Sequence, residues 1–168
     1  MIKIVDNFFT DKDLKKVQDF ALNKAYYEPR FFDDKEKTKQ NYYGNRFILE
    51  NDENLLNLFK KQAEINFNIK ILKLDRDSGI DQRNLDHFKP HTDDIRCKVN
   101  ILIMIYGPTA VTNGTVFYTD NQLDIHVGFR PNRAVMFPSN KLHSQHASDI
   151  PNLLRYTSTL FIKEYKEI

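Results

Sequence analysis

The residues of this chain that carry the most chemistry are His91-Thr92-Asp93, followed at a distance by His143 and then by Arg155-Tyr156-Thr157. Two imidazoles and one carboxylate can occupy one face of an octahedral metal ion and leave the opposite face open to small ligands and oxygen. An arginine nearby would add a planar cationic fork suited to the far carboxylate of a dicarboxylic acid. No single piece is specific. Five histidines in an Asp-rich chain will often produce a His-x-Asp triplet by chance, and the ordinary reading of such a triplet is a surface turn. Position adds weight: Pro90 stiffens the approach, residues 85–87 look like strand, and a long apolar strand starts just after, so the triplet sits at a strand end. Strand ends around the mouth of a sandwich are where ligand sites form.

The remaining histidines are weighed the same way. His143 lies in Phe137-Pro138-Ser139-Asn140-Lys141-Leu142-His143, and taken alone it reads as a partly buried imidazole bonded to backbone. His146 would face the opposite way on a regular strand, so only one of the two can be a ligand, and His143 is preferred. His87 and His91 have helical i, i+4 spacing, but Pro90 between them argues against a helix. His126 falls in an alternating strand, Asp124-Ile125-His126-Val127, on its solvent side.

The elements that must position these groups follow from periodicity. Thr10-Asp11-Lys12-Asp13 is an N-cap with acidic residues in the first turn, and Leu14, Val17, Ala21 and Ala25 recur at helical spacing. Asn51-Asp52-Glu53 opens a second helix with Leu56, Phe59, Ala63 and Phe67 on one stripe. Between them, Glu28 to Asn45 reads as loop and short strand, with Tyr42, Tyr43 and Arg46 a possible substrate platform or simply exposed groups at a strand edge. From Ile69 onward the pattern is short apolar runs separated by turns, with strands predicted at 69–74, 84–91, 97–106, 114–119, 123–129, 133–137, 141–146 and 153–163. Segment 75–86 reads as a mobile polar loop. The fold class is therefore mainly β with flanking α: a double-stranded β-helix, or jelly roll, with the N-terminal helices packed on one sheet and residues 1–168 forming one domain.

Strand 153–163 links fold to chemistry. Arg155, Thr157 and Thr159 fall on one face, and Leu154, Tyr156, Leu160 and Ile162 on the other. On a solvent face the polar set would be ordinary. Facing inward, a buried guanidinium requires an anion, which a ligand carboxylate can supply.

Composition narrows the classes. With 25 Lys and Arg against 23 Asp and Glu, the net charge of +2 gives no broad footprint for nucleic acid. The longest apolar and aromatic run, 101–106, is far shorter than a bilayer span, and charge interrupts the first residues too early for a signal peptide, so a cytoplasmic protein with no membrane partner is expected. Cys97 is the only cysteine, which excludes an intramolecular disulfide and any Cys-rich metal site. A metal must be held by His, Asp or Glu.

Taken together, His91-x-Asp93, His143 and Arg155-x-Thr157 in this order resemble the iron(II)- and 2-oxoglutarate-dependent dioxygenase superfamily, nearest in style to its prolyl 4-hydroxylase-like and phage-encoded members. The opening Ile4-Val5-Asp6-Asn7-Phe8-Phe9-Thr10 looks like that family's first strand and helix cap, and Lys89 to Asp93 and Arg133 to Ser139 look like its core strands. The resemblance implies that His91, Asp93 and His143 bind Fe(II), that Arg155 pairs with the distal carboxylate of 2-oxoglutarate, and that Thr157 donates a hydrogen bond to it. It further implies O2 as co-substrate, with release of succinate and CO2 as a peptide or small-molecule substrate is hydroxylated. Ile101, Ile103 and Val135 are expected to wall the site against water. Two other classes stay open: a non-catalytic jelly-roll binding protein, and a cupin-type metal enzyme that would not need Arg155.

Overall fold

The computed structural model describes residues 1–31, 37, 42–84, 89–147 and 154–168. Helix α1, Asp11–Asn23, starts where Thr10 accepts the amide hydrogen of Asp13 on its hydroxyl oxygen at 3.2 Å, with Asp11 and Asp13 favourably placed against the helix dipole. Val17 and Ala21 are its buried residues, and Ala25, beyond the helix end, packs on the same core. Helix α2, Glu53–Phe67, is capped by the Asp52 carboxylate, which accepts from the Leu55 amide at 3.0 Å, and it closes on Asn68 in a left-handed conformation. Phe59, Ala63 and Phe67 are buried as the stripe predicts, and Leu55 rather than Leu56 completes it.

Eleven strands form among the described residues: β1 Lys3–Val5, β2 Glu28–Phe31, β3 Tyr42–Ile48, β4 Ile69–Leu74, β5 Gly79–Asn84, β6 Val99–Tyr106, β7 Asn113–Thr119, β8 Gln122–Gly128, β9 Ala134–Pro138, β10 His143–Ala147 and β11 Leu154–Glu167. The larger sheet runs β1-β9-β6-β11-β5-β3-β2, with β4 also pairing β11, and the smaller one runs β10-β7-β8. Every pairing is antiparallel. The two sheets face each other as the jelly roll expected from the strand pattern, and both helices pack on the outer face of the larger sheet.

Strand parity divides the interior into two layers. Ile101, Ile103, Ile105, Tyr156, Leu160 and Ile162 pack outward with Phe8, Phe59 and Phe67 in the layer beneath the helices. Leu102, Met104, Phe117, Val127, Phe129, Val135 and Phe137 pack between the sheets. Ile101 and Ile103 therefore lie on the helix side and do not wall the inter-sheet space; their neighbours on β6 do, because successive side chains of a strand point to opposite faces.

Of the two polar stretches, the first holds short strand as expected and the second differs from the sequence expectation. Glu28 to Asn45 contributes β2 and the start of β3, which extend the larger sheet at its edge; residues 32–36 and 38–41 lie outside the described residues. Segment 75–86, expected as a mobile loop, supplies β5, an inner strand between β11 and β3. Its Asp81-Gln82-Arg83-Asn84 is polar on both faces, so no apolar alternation marks it. Its inward residues instead meet other polar groups: Asp81 is buried against Arg46, whose Nε and Nη2 donate to its carboxylate at 2.7 and 3.1 Å. Of the strand predicted over 84–91, Asn84 ends β5, residues 85–88, including His87, lie outside the described residues, and His91 pairs with His143 through a single bridge.

Candidate metal centre

The bridge between His91 and His143 fixes the heart of the site. Each residue donates its amide to the other's carbonyl at 2.9 Å, which draws two segments 52 positions apart onto one edge of the smaller sheet. The Asp93 amide donates to the Ser139 carbonyl at 3.0 Å, so the whole His91-x-Asp93 turn is sewn to the segment leading into β10. The result is a cluster in which one ligand atom each from His91, Asp93 and His143 lie within 4.8 Å of one another.

The imidazoles are oriented by backbone. Nδ1 of His91 lies 3.0 Å from the Lys89 carbonyl oxygen, and Nδ1 of His143 lies 2.9 Å from that of Lys141. A carbonyl oxygen only accepts, so both Nδ1 atoms carry the hydrogen and both Nε2 atoms present a lone pair. Those Nε2 atoms lie 3.7 and 3.4 Å from the two oxygens of Asp93. Asn100, fully buried on β6, donates its side-chain N–H to Oδ2 of Asp93 and sets the carboxylate's rotation. Two neutral nitrogens and one carboxylate, with no thiolate in the cluster, are a donor set suited to Fe(II) and similar divalent ions.

Electrostatics agree with that donor set. Burial pulls the His91 imidazole down to about 3, with the neighbouring His143 acting in the same direction. Burial also lowers His143, opposed by Asp93, and burial raises Asp93. Between the ordinary imidazole value of 6.5 and about 3, an unfolded chain takes up a proton at His91 that the folded chain refuses. Stability of the metal-free protein should therefore fall as pH falls through this window. Urea midpoints at pH 7.5 and 5.5 test this: the wild type should drop, His91→Gln should drop less, and equal sensitivity in both would overturn the neutral assignment.

The cluster opens into a cavity of about 400 Å³ between the sheets, lined among others by Phe31, Tyr43, Arg83, Leu102, Phe137 and Arg155. Arg155, Thr157 and Thr159 are all buried on the inward face of β11, which decides between the two readings of that strand. Arg155 and Thr159 line the cavity together with Thr115 of β7, whereas Thr157 sits on the same buried face opposite Asp81 and Met104. Desolvation pulls the Arg155 guanidinium down to about 9, still protonated at neutral pH. Its Nε is buried with no hydrogen-bond partner among the described residues.

His146 is kept out of the cluster. Its ring packs against His126 at 5.0 Å, and His126 is exposed on the smaller sheet as expected. Tyr43 and Arg46 line the cavity while Tyr42 is exposed; Arg46 is buried, held by Asp81 and over the Phe161 ring. Sequence reasoning did not single out Asn100, Asp81, Thr115 or Phe161. A signal existed for Asn100, the one amide inside the apolar run Val99–Tyr106.

No protein-family model matches the chain, and no curated protein matches it in sequence. Solved structures do resemble it. The non-heme alpha-ketoglutarate-dependent epimerase SnoN from nogalamycin biosynthesis is similar with a TM-score of 0.64 at 8% identity, over 98% of this chain and 79% of that one. SnoN in complex with Fe3+, alpha-ketoglutarate and nogalamycin RO is similar with a TM-score of 0.63 at 8% identity, over 99% and 80%. An oxidoreductase of the 2OG-Fe(II) oxygenase family from Burkholderia pseudomallei has a TM-score of 0.64 at 13% identity, over 99% and 86%. The likeness extends across the whole jelly roll and its flanking helices.

Proposed function

We propose that this chain is an Fe(II)- and 2-oxoglutarate-dependent oxygenase, in which His91, Asp93 and His143 hold the iron and Arg155 takes the distal carboxylate of 2-oxoglutarate. The observation that carries the reading is the pairing, in one cavity, of a two-His-one-carboxylate cluster with a buried arginine. The fold-level neighbours support it, since one is bound to Fe3+ and alpha-ketoglutarate and another is a 2OG-Fe(II) oxygenase family member. Iron with 2-oxoglutarate and O2 supplies oxidation of a primary substrate coupled to release of succinate and CO2.

The chain's own residues do the positioning. Lys89 and Lys141 carbonyls hold the two imidazoles with Nε2 toward the ion, and Asn100 holds Asp93. Arg155 compensates the second charge of the diacid, and Thr157, on the same buried face, would add a hydrogen bond. Leu102, Phe137 and Phe161 keep water from the reacting centre. The primary substrate is a peptide or small molecule, and hydroxylation is the expected outcome; SnoN is an epimerase, so product analysis must distinguish oxygen insertion from inversion.

The experiment is a turnover assay with Fe(II), 2-oxoglutarate and O2 across a panel of acceptors, with metal content measured alongside. Slow succinate formation without acceptor, accelerated by one of the panel, is the expected result. Full iron loading with no succinate under any condition would favour the non-catalytic jelly roll instead.

A further inference from the structure

Among the described residues, Arg155 is held by acceptors that carry no charge. Its Nη1 donates to Oδ1 of Asn113 at 3.2 Å and to the Gly114 carbonyl at 3.0 Å, which uses both hydrogens of that nitrogen. The Phe129 ring centre lies 5.7 Å from the guanidinium carbon. Among the described residues, the acidic group that acts on it is Asp81, which Arg46 and Arg83 already engage. A fully buried cation with only neutral partners is costly, and proteins ordinarily place a carboxylate beside it.

The surroundings hold this arrangement firmly. Asn113 is buried, and its Nδ2 donates to the Pro108 carbonyl at 2.8 Å, which fixes the amide so that Oδ1 turns to Arg155. Its backbone is pinned as well: its N–H donates to Ala110 and its carbonyl accepts from Phe129 at 2.9 and 2.7 Å. A Cβ at position 114 would lie 2.3 Å from the Val127 carbonyl oxygen of β8, so glycine is needed there to bring its own carbonyl to the guanidinium.

We propose that Asn113 is a positioning residue for the dicarboxylate: it fixes the Arg155 guanidinium without cancelling its charge, so that the ligand's distal carboxylate must supply the neutralising anion. This deepens the reading above and rests on it. An aspartate at 113 would reach the same nitrogen with nearly the same shape and occupy the guanidinium in the ligand's place. The amide thus serves both the Pro108 contact and ligand binding, and a loss confined to the diacid tells the positioning role from a merely structural one.

The test uses Mn(II)-loaded protein without oxygen and measures binding of 2-oxoglutarate and of 2-oxopentanoate, which keeps the chelating end and lacks the distal carboxylate. In Asn113→Asp, 2-oxoglutarate should bind about tenfold or more weakly, with 2-oxopentanoate and Mn(II) changed less than about twofold. Asn113→Ala, which loosens the arginine and leaves it charged, should weaken 2-oxoglutarate about three- to tenfold with the same selectivity, and it decides the matter if the aspartate variant does not fold. Equal losses for both acids, or unchanged 2-oxoglutarate binding, would overturn the proposal. If wild type binds 2-oxoglutarate and Arg155→Met abolishes it while Asn113→Asp does not, the role of Asn113 alone falls. If wild type binds no 2-oxoglutarate, the functional reading falls with it.

Discussion

Replacing His143 by alanine should abolish iron binding at the proposed centre. Losing groups that merely orient a ligand typically weakens a metal site by 10- to 100-fold, so removing a ligand nitrogen should exceed about 100-fold. The fold should survive. His143 stays anchored by its backbone bridge to His91, and its ring contacts with Phe117 and Phe137 are peripheral to the layer that packs the helices. His146→Ala is the internal control, since that ring packs on His126 away from the cluster and its loss should change iron affinity less than about twofold. Iron binding measured by competition with a chelator, with circular dichroism alongside, separates the two. Comparable losses in both variants would remove His143 from the proposed ligand set.

Arg155→Met should produce the opposite signature: metal binding retained and 2-oxoglutarate binding lost. Truncating one partner of a buried charge pair costs about 2–5 kcal/mol, which is roughly 30-fold to several thousandfold in affinity. The folded, ligand-free protein should be no less stable than wild type, and its melting temperature should rise. Among the described residues the buried guanidinium has only neutral acceptors, and methionine fills similar space without that desolvation cost. A gain in stability accompanied by loss of ligand is characteristic of a residue kept for function against the preference of the fold. Arg155→Lys should fall between the two, because an ammonium keeps the charge but lacks the planar fork. Titration calorimetry with 2-oxoglutarate and a thermal melt check both halves; unchanged ligand affinity in Arg155→Met would remove the arginine from its proposed role.

Much of this was legible in the chain. Thr10 and Asp52 mark their helices because an oxygen side chain ahead of an acidic first turn meets free amide donors, a local requirement that needs no tertiary context. The strands over 69–74, 97–106 and 133–137 were written as apolar runs, and they appear as β4, β6 and β9 with ends moved by at most two residues. Alternation on β11 separated Arg155, Thr157 and Thr159 from Tyr156, Leu160 and Ile162, and the two sets do lie in different layers. β5 stayed hidden because its partners are charges on another strand: Asp81 looks like a solvated loop residue until Arg46 is placed beside it. The aliphatic wall was assigned to the wrong parity of β6, since Ile101 and Ile103 are as apolar as Leu102 and nothing local says which face meets the helices.

Residue types and order thus determined by themselves the fold class, the two helices, and the short list of side chains able to hold a metal and an anion, because each follows from local periodicity or donor chemistry. Only the tertiary structure decided that His143 rather than His146 meets His91 and Asp93, that β11 turns its arginine inward, and that Asn113 and Gly114 grip it. Those are long-range facts of register: antiparallel pairing fixes which side of a strand faces the cavity, and a shift of one residue would reverse every one of them.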